Sequence, residues 1–138
     1  FEIDKYAVTV SKRNFPVIVH HGNVYDGDFT KFQGYDLLLG GSPCTYWSIA
    51  KKEREVDCNG EGFRLFKEYV RALEESGCKY FLYENNYSVH QNIKDEITRV
   101  LGVEPIMITL HLYRHKIESA VTGRIYLLLL SRKIRAFY

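Results

Sequence analysis

The chain has 138 residues, 46% of them apolar and 26% charged, which fits one ordinary folded domain with a reasonable core. Its formal net charge of +2 is too small to imply a nucleic-acid partner by itself. Three cysteines with no CxxC pair and no Cys/His spacing of zinc type argue against a bound metal and favour a reduced, cytoplasmic compartment.

In chain order, residues 4–14 read as a short helix. Val17–Val19, Leu37–Leu39 and Tyr80–Tyr83 are short, β-branched, aliphatic or aromatic, and bounded by turn residues, so they read as buried strands. Between the second and third, Phe63, Phe66, Tyr69, Val70 and Leu73 recur at helical spacing, and Gly77 stands where a C-terminal cap belongs. Ser88 is placed to cap a further helix carrying Val89, Ile93, Ile97, Val100 and Leu101, closed by Gly102 and Pro105. Strands separated by helices predict βαβ units, hence an α/β fold with a mostly parallel sheet. Tyr126–Leu130 is far too short to cross a bilayer, and no signal peptide is visible. Neither an internal repeat nor a low-complexity linker stands out. Phe1 in place of a methionine suggests that the natural chain begins earlier.

In such a sheet, ligands gather beyond the carboxyl ends of the strands. Two chemically loaded segments fall there: Gly40-Gly41-Ser42-Pro43-Cys44 after "DLLL", and Glu84-Asn85-Asn86 after "YFLY". By residue type alone, a cysteine at a strand end is more often an inert thiol, and a loop glutamate is more often simply solvated. Here the two glycines are read as permitting a tight turn, and Pro43 fixes φ, which aims the thiol. Glu84 follows a run of apolar residues, where an isolated carboxylate is costly. A thiol nucleophile and a carboxyl proton donor form the pair that covalent catalysis needs.

These residues carry a family resemblance. "GGSPC" resembles the Pro-Cys motif of the DNA cytosine-5 methyltransferases of bacterial and phage type, and "ENN" resembles their Glu-Asn-Val motif. "FEIDKYAVTVSKRNFP" is similar to the segment where a strand ends in a ribose-binding acid, here Glu2, and "HHGNV" to the next strand end. There Asn23 stands where the family usually has an adenine-reading aspartate, and Asn86 stands for valine. The likeness runs over about residues 1–108 and implies a Rossmann-like S-adenosylmethionine-dependent methyltransferase sheet, incomplete at both ends.

The resemblance also implies a mechanism. The Cys44 thiolate attacks carbon 6 of a cytosine, and Glu84 bonds ring nitrogen 3 and the exocyclic amine. Ser42, Pro43 and Asn85 surround the base, while Glu2, Ile3, Asn23, Val24 and Pro43 line the site for S-adenosylmethionine. The partner is double-stranded DNA with the target cytosine flipped out of the stack, met by a monomeric enzyme of restriction-modification type. Residues 45–60 resemble the mobile loop that closes over such a base. Lys51, Lys52 and Arg54 then face phosphates, and Tyr46 and Trp47 pack against the site or the gap in the stack. The bland alternative is a solvated charged loop with incidental aromatics.

The resemblance has limits at both ends. The family places a strand, a glycine-rich cofactor loop and a helix before the position of Glu2. After Ile108 it offers a segment like "NSALVSAQNR", where this chain reads "TLHLYRHKIESAVTGRIY". Reading the codons of Thr109 to Tyr126 one base earlier permits "NSALVSAQNRERCYWTNI" with suitable wobble bases. Residues 1–108 are therefore expected to be a partial catalytic domain, and 109–138 an out-of-frame tail, packed as an extra strand or disordered. On that reading His111, Arg114, His115 and the run Arg124-Ile125-Tyr126 carry no site chemistry. Three alternatives stay open: a nucleotide- or DNA-binding module without chemistry, a tRNA cytosine-5 methyltransferase, and another cysteine-dependent enzyme. The last lacks a resolving cysteine or an evident neighbouring histidine. The target sequence is not readable from this chain.

Overall fold

A computed structural model of the chain describes residues 1–112 and 121–131, with side chains as far as residue 108. A four-stranded sheet is built from β1 (Leu37–Gly40), β2 (Tyr80–Asn86), β3 (Ile106–Leu112) and β4 (Val121–Ser131), in the order β1-β2-β4-β3. β1 and β2 are parallel, with Leu37 opposite Tyr80 and Gly40 opposite Tyr83. β4 runs antiparallel to both β2 and β3. The α/β class holds, but among the described strands only the β1–β2 pairing is parallel and the other two are antiparallel, so the sheet is not mostly parallel; the inner β4 falls in the segment expected as an extra strand or disordered. His111 and Arg124 fall in β3 and β4, whereas Arg114 and His115 lie outside the described residues.

The crossover between β1 and β2 carries α2 (Glu61–Ser76), and α3 (Gln91–Leu101) follows β2. Phe63, Phe66, Tyr69 and Leu73 of α2 and Ile93, Ile97 and Leu101 of α3 share one buried cluster with Phe81 and Tyr83 of β2. The ring of Tyr83 meets Phe66 edge-on at 5.3 Å and Tyr69 at 5.0 Å between centroids, so the core here is aromatic. Alternation along β2 puts Phe81, Tyr83 and Asn85 under the helices and Tyr80 and Glu84 on the other face. On that other face Leu37 and Leu39 are also exposed.

Helix ends follow local chemistry. Gly77 and Gly102 close α2 and α3 in the left-handed region, at φ 66° and 70°, as their positions predict. The start of α3 differs from the sequence reading: its N-cap is His90, with no side-chain cap bond. Ser88 donates instead to Asn86 Oδ1 at 2.7 Å, which spends its hydroxyl before the helix begins. The expected helix over residues 4–14 is α1 (Lys5–Asn14), capped by Asp4, whose Oδ1 accepts from the N–H groups of Tyr6 and Ala7 at 2.8 Å.

Val17–Val19 forms no strand. All three residues are exposed, and β1, the sheet's edge, pairs only with β2 among the described residues. Val17 lies in a turn, closed by the Ile18 N–H on the Phe15 carbonyl, and a segment without a neighbouring strand has no ladder to join, whatever its β propensity.

Residues 24–33, which follow, are tied to α2 by three charged side chains: Glu61, which accepts from the Tyr25 hydroxyl at 2.7 Å, Arg71 and Glu75. Arg71 donates to the carbonyls of Gly27 (2.8 Å) and Val24 (3.1 Å) and lies over the Phe29 ring at 4.6 Å. Glu75 accepts from the Phe29 N–H at 3.2 Å and pairs with Arg71. Phe1 packs on Phe29, Phe32 and His21, bringing the amino terminus to the same patch. Arg71→Met keeps the aliphatic stem but removes these donors, so it is expected to cost roughly 1–2 kcal/mol. Hydrogen exchange should accelerate in residues 24–33 while α2 stays protected; uniform acceleration would contradict this local tether.

Candidate active site

Cys44 opens the turn that follows β1, and Glu84 lies two residues before the carboxyl end of the parallel neighbour β2. The register that sets Gly40 opposite Tyr83 brings Gly41 beside Glu84. A Cβ on Gly41 would collide with the Glu84 carbonyl oxygen and stand 3.6 Å from its carboxylate Oε2. Neither Gly40 nor Gly41 has positive φ. The sequence reading that gave both a turning role is therefore corrected: they are small because of close approach, Gly40 to the Tyr69 ring and Gly41 to β2. Pro43 (φ −54°) then leads into a short 3-10 turn, Cys44–Tyr46, with Cys44 exposed. Glu84 is exposed on the face away from α2 and α3, so its carboxylate escapes the burial cost the sequence suggested.

Beneath this turn lies a buried polar network. Tyr83 donates its hydroxyl to Ser42 Oγ at 3.0 Å, and Asn85 Nδ2 donates to the Ser42 carbonyl at 2.8 Å. Asn85 Oδ1 accepts from the Asn86 N–H at 2.9 Å. Ser42 and Asn85, expected around a bound base, are almost fully buried. Their polar groups are satisfied within the protein, so they shape the turn instead of lining an outer surface. Burial pushes the Tyr83 hydroxyl up to about 12, although its bonds to Ser42 and Asn85 act the other way.

The basic loop after Cys44 is pinned at its base. Trp47 is fully buried in the core, so it is unavailable to fill a gap in stacked bases. Its Nε1 donates to Glu55 Oε2 at 3.2 Å, and the same carboxylate accepts from the Gly62 N–H at 3.0 Å. The Glu55 N–H donates to the Tyr46 carbonyl at 3.0 Å. Gly62 leaves the room that Trp47 and Glu55 occupy, since a Cβ there would meet the indole at 2.7 Å. Between the pins, Lys51 and Lys52 are exposed, with the Lys51 ammonium 5.3 Å from the centre of the Tyr46 ring. Arg54 is half-buried and donates to the Ser88 carbonyl at 2.8 Å, so one of its edges is already engaged.

Two other thiols make a useful contrast. Cys58 is half-buried, and burial followed by the charges of Glu96 and Asp57 pushes its thiol up. Cys78 is buried in the core beside the Ser76 hydroxyl. Cys44 alone of the three is exposed. No group of three or more potential ligands is placed to hold a metal ion among the described residues. No helix among them is long and apolar enough to cross a membrane.

The model for C-5 cytosine-specific DNA methylase matches residues 1–102. The chain belongs to the C-5 cytosine-specific DNA methylase family. Among curated relatives, it is 39% identical over 87 residues to the orphan methyltransferase M.SPRI of Bacillus phage SPR, covering 61% of this chain and 19% of that one. It is 36% identical over 87 residues to the type II methyltransferase M.HgiCII of Herpetosiphon aurantiacus, with the same two shares, 61% and 19%. It is 38% identical over 89 residues to the type II methyltransferase M1.ScrFI of Lactococcus lactis subsp. cremoris, covering 61% of this chain and 21% of that one. The matches thus span about a fifth of these relatives' length. A crystal structure described as a prophage-encoded DNA modification methyltransferase (E. coli) shares the fold, at TM-score 0.61 and 19% identity, covering 94% of this chain and 38% of that one.

In this C-5 methylase chain, four of the residues expected at a cofactor site, Glu2, Ile3, Asn23 and Val24, lie in the amino-terminal segment, and the fifth, Pro43, lies after β1. Glu2 is exposed, and its Oε1 accepts from the N–H groups of Ile3 and Asp4 at 2.9 and 2.8 Å. Asn23 is exposed and caps the short turn Val24–Asp26 through Oδ1, which accepts from the Tyr25 N–H at 3.1 Å. An exposed carboxylate suits a ribose diol, and the Asn23 amide keeps its donor side for an acceptor nitrogen of a purine. Val24 is half-buried, and exposed Ile3 adds further apolar surface. Taken one by one, these side chains are chemically compatible with parts of an adenosine group.

Sequence reasoning passed over Tyr83 and Glu55. The inward phase of "YFLY" marks Tyr83 as core, but nothing local marks its hydroxyl partner. Glu55 finds Trp47 across a loop, where no periodicity operates.

Gly41→Ala should cost roughly 1–3 kcal/mol in a denaturant melt, since the added methyl must push β1 away from β2. An unchanged melt would contradict the close approach. Tyr83 supplies a second test. Its folded pKa of about 12 lies above the ordinary value of 10.0, so the folded state holds its proton longer than the unfolded chain does. Its contribution is complete below pH ~10 and is lost as pH rises toward 12, an effect of roughly 2–3 kcal/mol. Tyr83→Phe should make the decline in that window shallower, with Tyr25 and Tyr69, also pushed up, accounting for the remainder; an equally steep decline in the variant would contradict it.

Proposed function

We propose that this chain is part of the catalytic domain of a DNA cytosine-5 methyltransferase, with Cys44 as nucleophile and Glu84 as the residue that holds the base. The observation that supports this reading is the parallel pairing of β1 and β2, which sets Gly41 against Glu84 three residues before the exposed Cys44. The phage and type II relatives support it.

Carbon 5 of cytosine is a poor nucleophile. Addition of the Cys44 thiolate to carbon 6 forms a C–S bond and sends the ring electrons to carbon 5, which then attacks an electrophilic methyl. S-adenosylmethionine, when bound, supplies that methyl on a sulfonium sulfur. Glu84 donates to ring nitrogen 3 and accepts from the exocyclic amine, so it stabilises the ring as electron density builds up. Loss of the carbon-5 proton to a base and expulsion of the thiolate restore the ring. Carbon 6 is inaccessible in a stacked duplex, so the base is flipped out of double-stranded DNA. Glu2, Ile3, Asn23, Val24 and Pro43 hold the adenosine end of the cofactor. Lys51 and Lys52, exposed on the pinned loop, meet phosphates. Arg54 contributes through whichever donors Ser88 leaves.

We assign the catalytic part to residues 1–108 and the residues from about 109 onward to a shifted reading frame. The eighteen-position back-translation of Thr109 to Tyr126 supports this. Sequencing of the source gene should show the wobble bases that spell the alternative frame; "TLHLYRHK" in frame in intact homologous genes would contradict it.

Activity is tested by grafting residues 1–108 into the Bacillus phage SPR enzyme in place of its matching segment and measuring methyl incorporation into DNA. The graft should methylate DNA. Cys44→Ala should abolish activity while leaving cofactor affinity nearly unchanged, and Glu84→Gln should slow it by about a hundredfold or more. A graft that folds and binds DNA but transfers no methyl would favour a non-catalytic binding module.

A further inference from the structure

Asn86, the last residue of β2, sits between the nucleophile's turn and the basic loop. Its Nδ2 lies 3.5 Å from the Cys44 carbonyl, a long and weak bond, and its Oδ1 accepts from the Ser88 hydroxyl at 2.7 Å. The Ser88 carbonyl in turn accepts from Arg54 Nη1 at 2.8 Å. A side chain two residues beyond the proposed catalytic glutamate thus joins the Cys44 backbone to the far end of the Ser48–Arg54 loop. The two ends of the loop are also tied to each other, by the Trp47 indole on the Glu55 carboxylate and the Glu55 N–H on the Tyr46 carbonyl.

The geometry points to Asn86 as a positioning residue that couples the Arg54 end of the loop to the turn presenting Cys44. With Arg54 on Ser88, residues 86–88 are held and the Asn86 amide stays aimed at the Cys44 carbonyl. A ligand that draws Arg54 away, such as a nucleic-acid phosphate, loosens residues 86–88 and with them the turn. Tyr83 and Asn85 grip Ser42 from beneath and Glu55 holds Tyr46 and Trp47, while Asn86 is the link that runs from Arg54 through Ser88 to the Cys44 carbonyl. The catalytic meaning of this coupling rests on the methyl-transfer reading, but the coupling itself can be measured without DNA or cofactor.

The test is hydrogen exchange with mass spectrometry on the 138-residue chain. Arg54→Met keeps the aliphatic stem and removes the donors. It should raise exchange in residues 42–47 about fivefold, the effect of losing one ordinary hydrogen bond, while α2 stays protected. Ser88→Ala, which leaves the Ser88 carbonyl in place, should do the same. In an Asn86→Val background, Arg54→Met should add less than about twofold, because the link is already cut. If Asn86→Val also loosens α2, Ser88→Ala serves as the background instead, with the same loss of additivity expected. Unchanged exchange in residues 42–47 on Arg54→Met, or effects that multiply in the double variant, overturns the coupling. That outcome leaves the methylation result of the phage graft untouched. A graft without methyl transfer, conversely, leaves the exchange result standing.

Discussion

Gly41 lies against the backbone carbonyl of Glu84 at a distance no other residue tolerates, and this contact fixes how β1 and β2 end relative to each other. Parallel pairing sends both strands toward the same edge of the sheet. Removal of the side chain at Gly41 lets the two exits come together instead of splaying. On the proposed methyl-transfer reading, a thiol three residues past Gly41 and the carboxylate of Glu84 share one substrate. If the strands were offset by one residue, Glu84 would turn under the helices and Asn85 would face outward.

The aromatic core serves this edge as much as it serves stability. Phe66 and Tyr69 hold the ring of Tyr83, whose hydroxyl reaches Ser42, so packing beneath the sheet is converted into a fixed origin for the Pro43-Cys44 turn. Asn85 doubles the hold on Ser42. Buried polar groups are tolerable here because each meets a partner. The loop follows the same logic: an indole in the core and a carboxylate shared between Trp47 and Gly62 anchor its base, leaving Lys51 and Lys52 exposed above it.

Much of this was legible in the residues. Helical spacing and the glycines after Ser76 and Leu101 located α2 and α3, and the runs before Gly41 and Glu84 located the two strands whose ends carry the candidate chemistry. Misreadings came where tertiary contacts overrule local preference. Val17–Val19 has strand-forming residues but no strand beside it. Trp47 looked like a loop aromatic because its neighbours are polar, yet Gly62, Phe63 and Glu55, distant in sequence, make a home for it. Ser42 and Asn85 carry the polar atoms of a binding site but spend them on each other's strand ends. Local sequence reports period and turn chemistry; it does not report which partner a buried polar atom finds.

The claim at the centre is that the exposed thiol of Cys44 is the one that bonds to a base. Duplex DNA carrying 5-fluorocytosine tests it most directly, because fluorine cannot leave carbon 5 as the proton does, so the adduct persists. With the phage graft and S-adenosylmethionine, peptide mapping should find the nucleotide bound to Cys44. An adduct at Cys58 or Cys78, or a folded, DNA-binding protein that forms no adduct, would contradict the account.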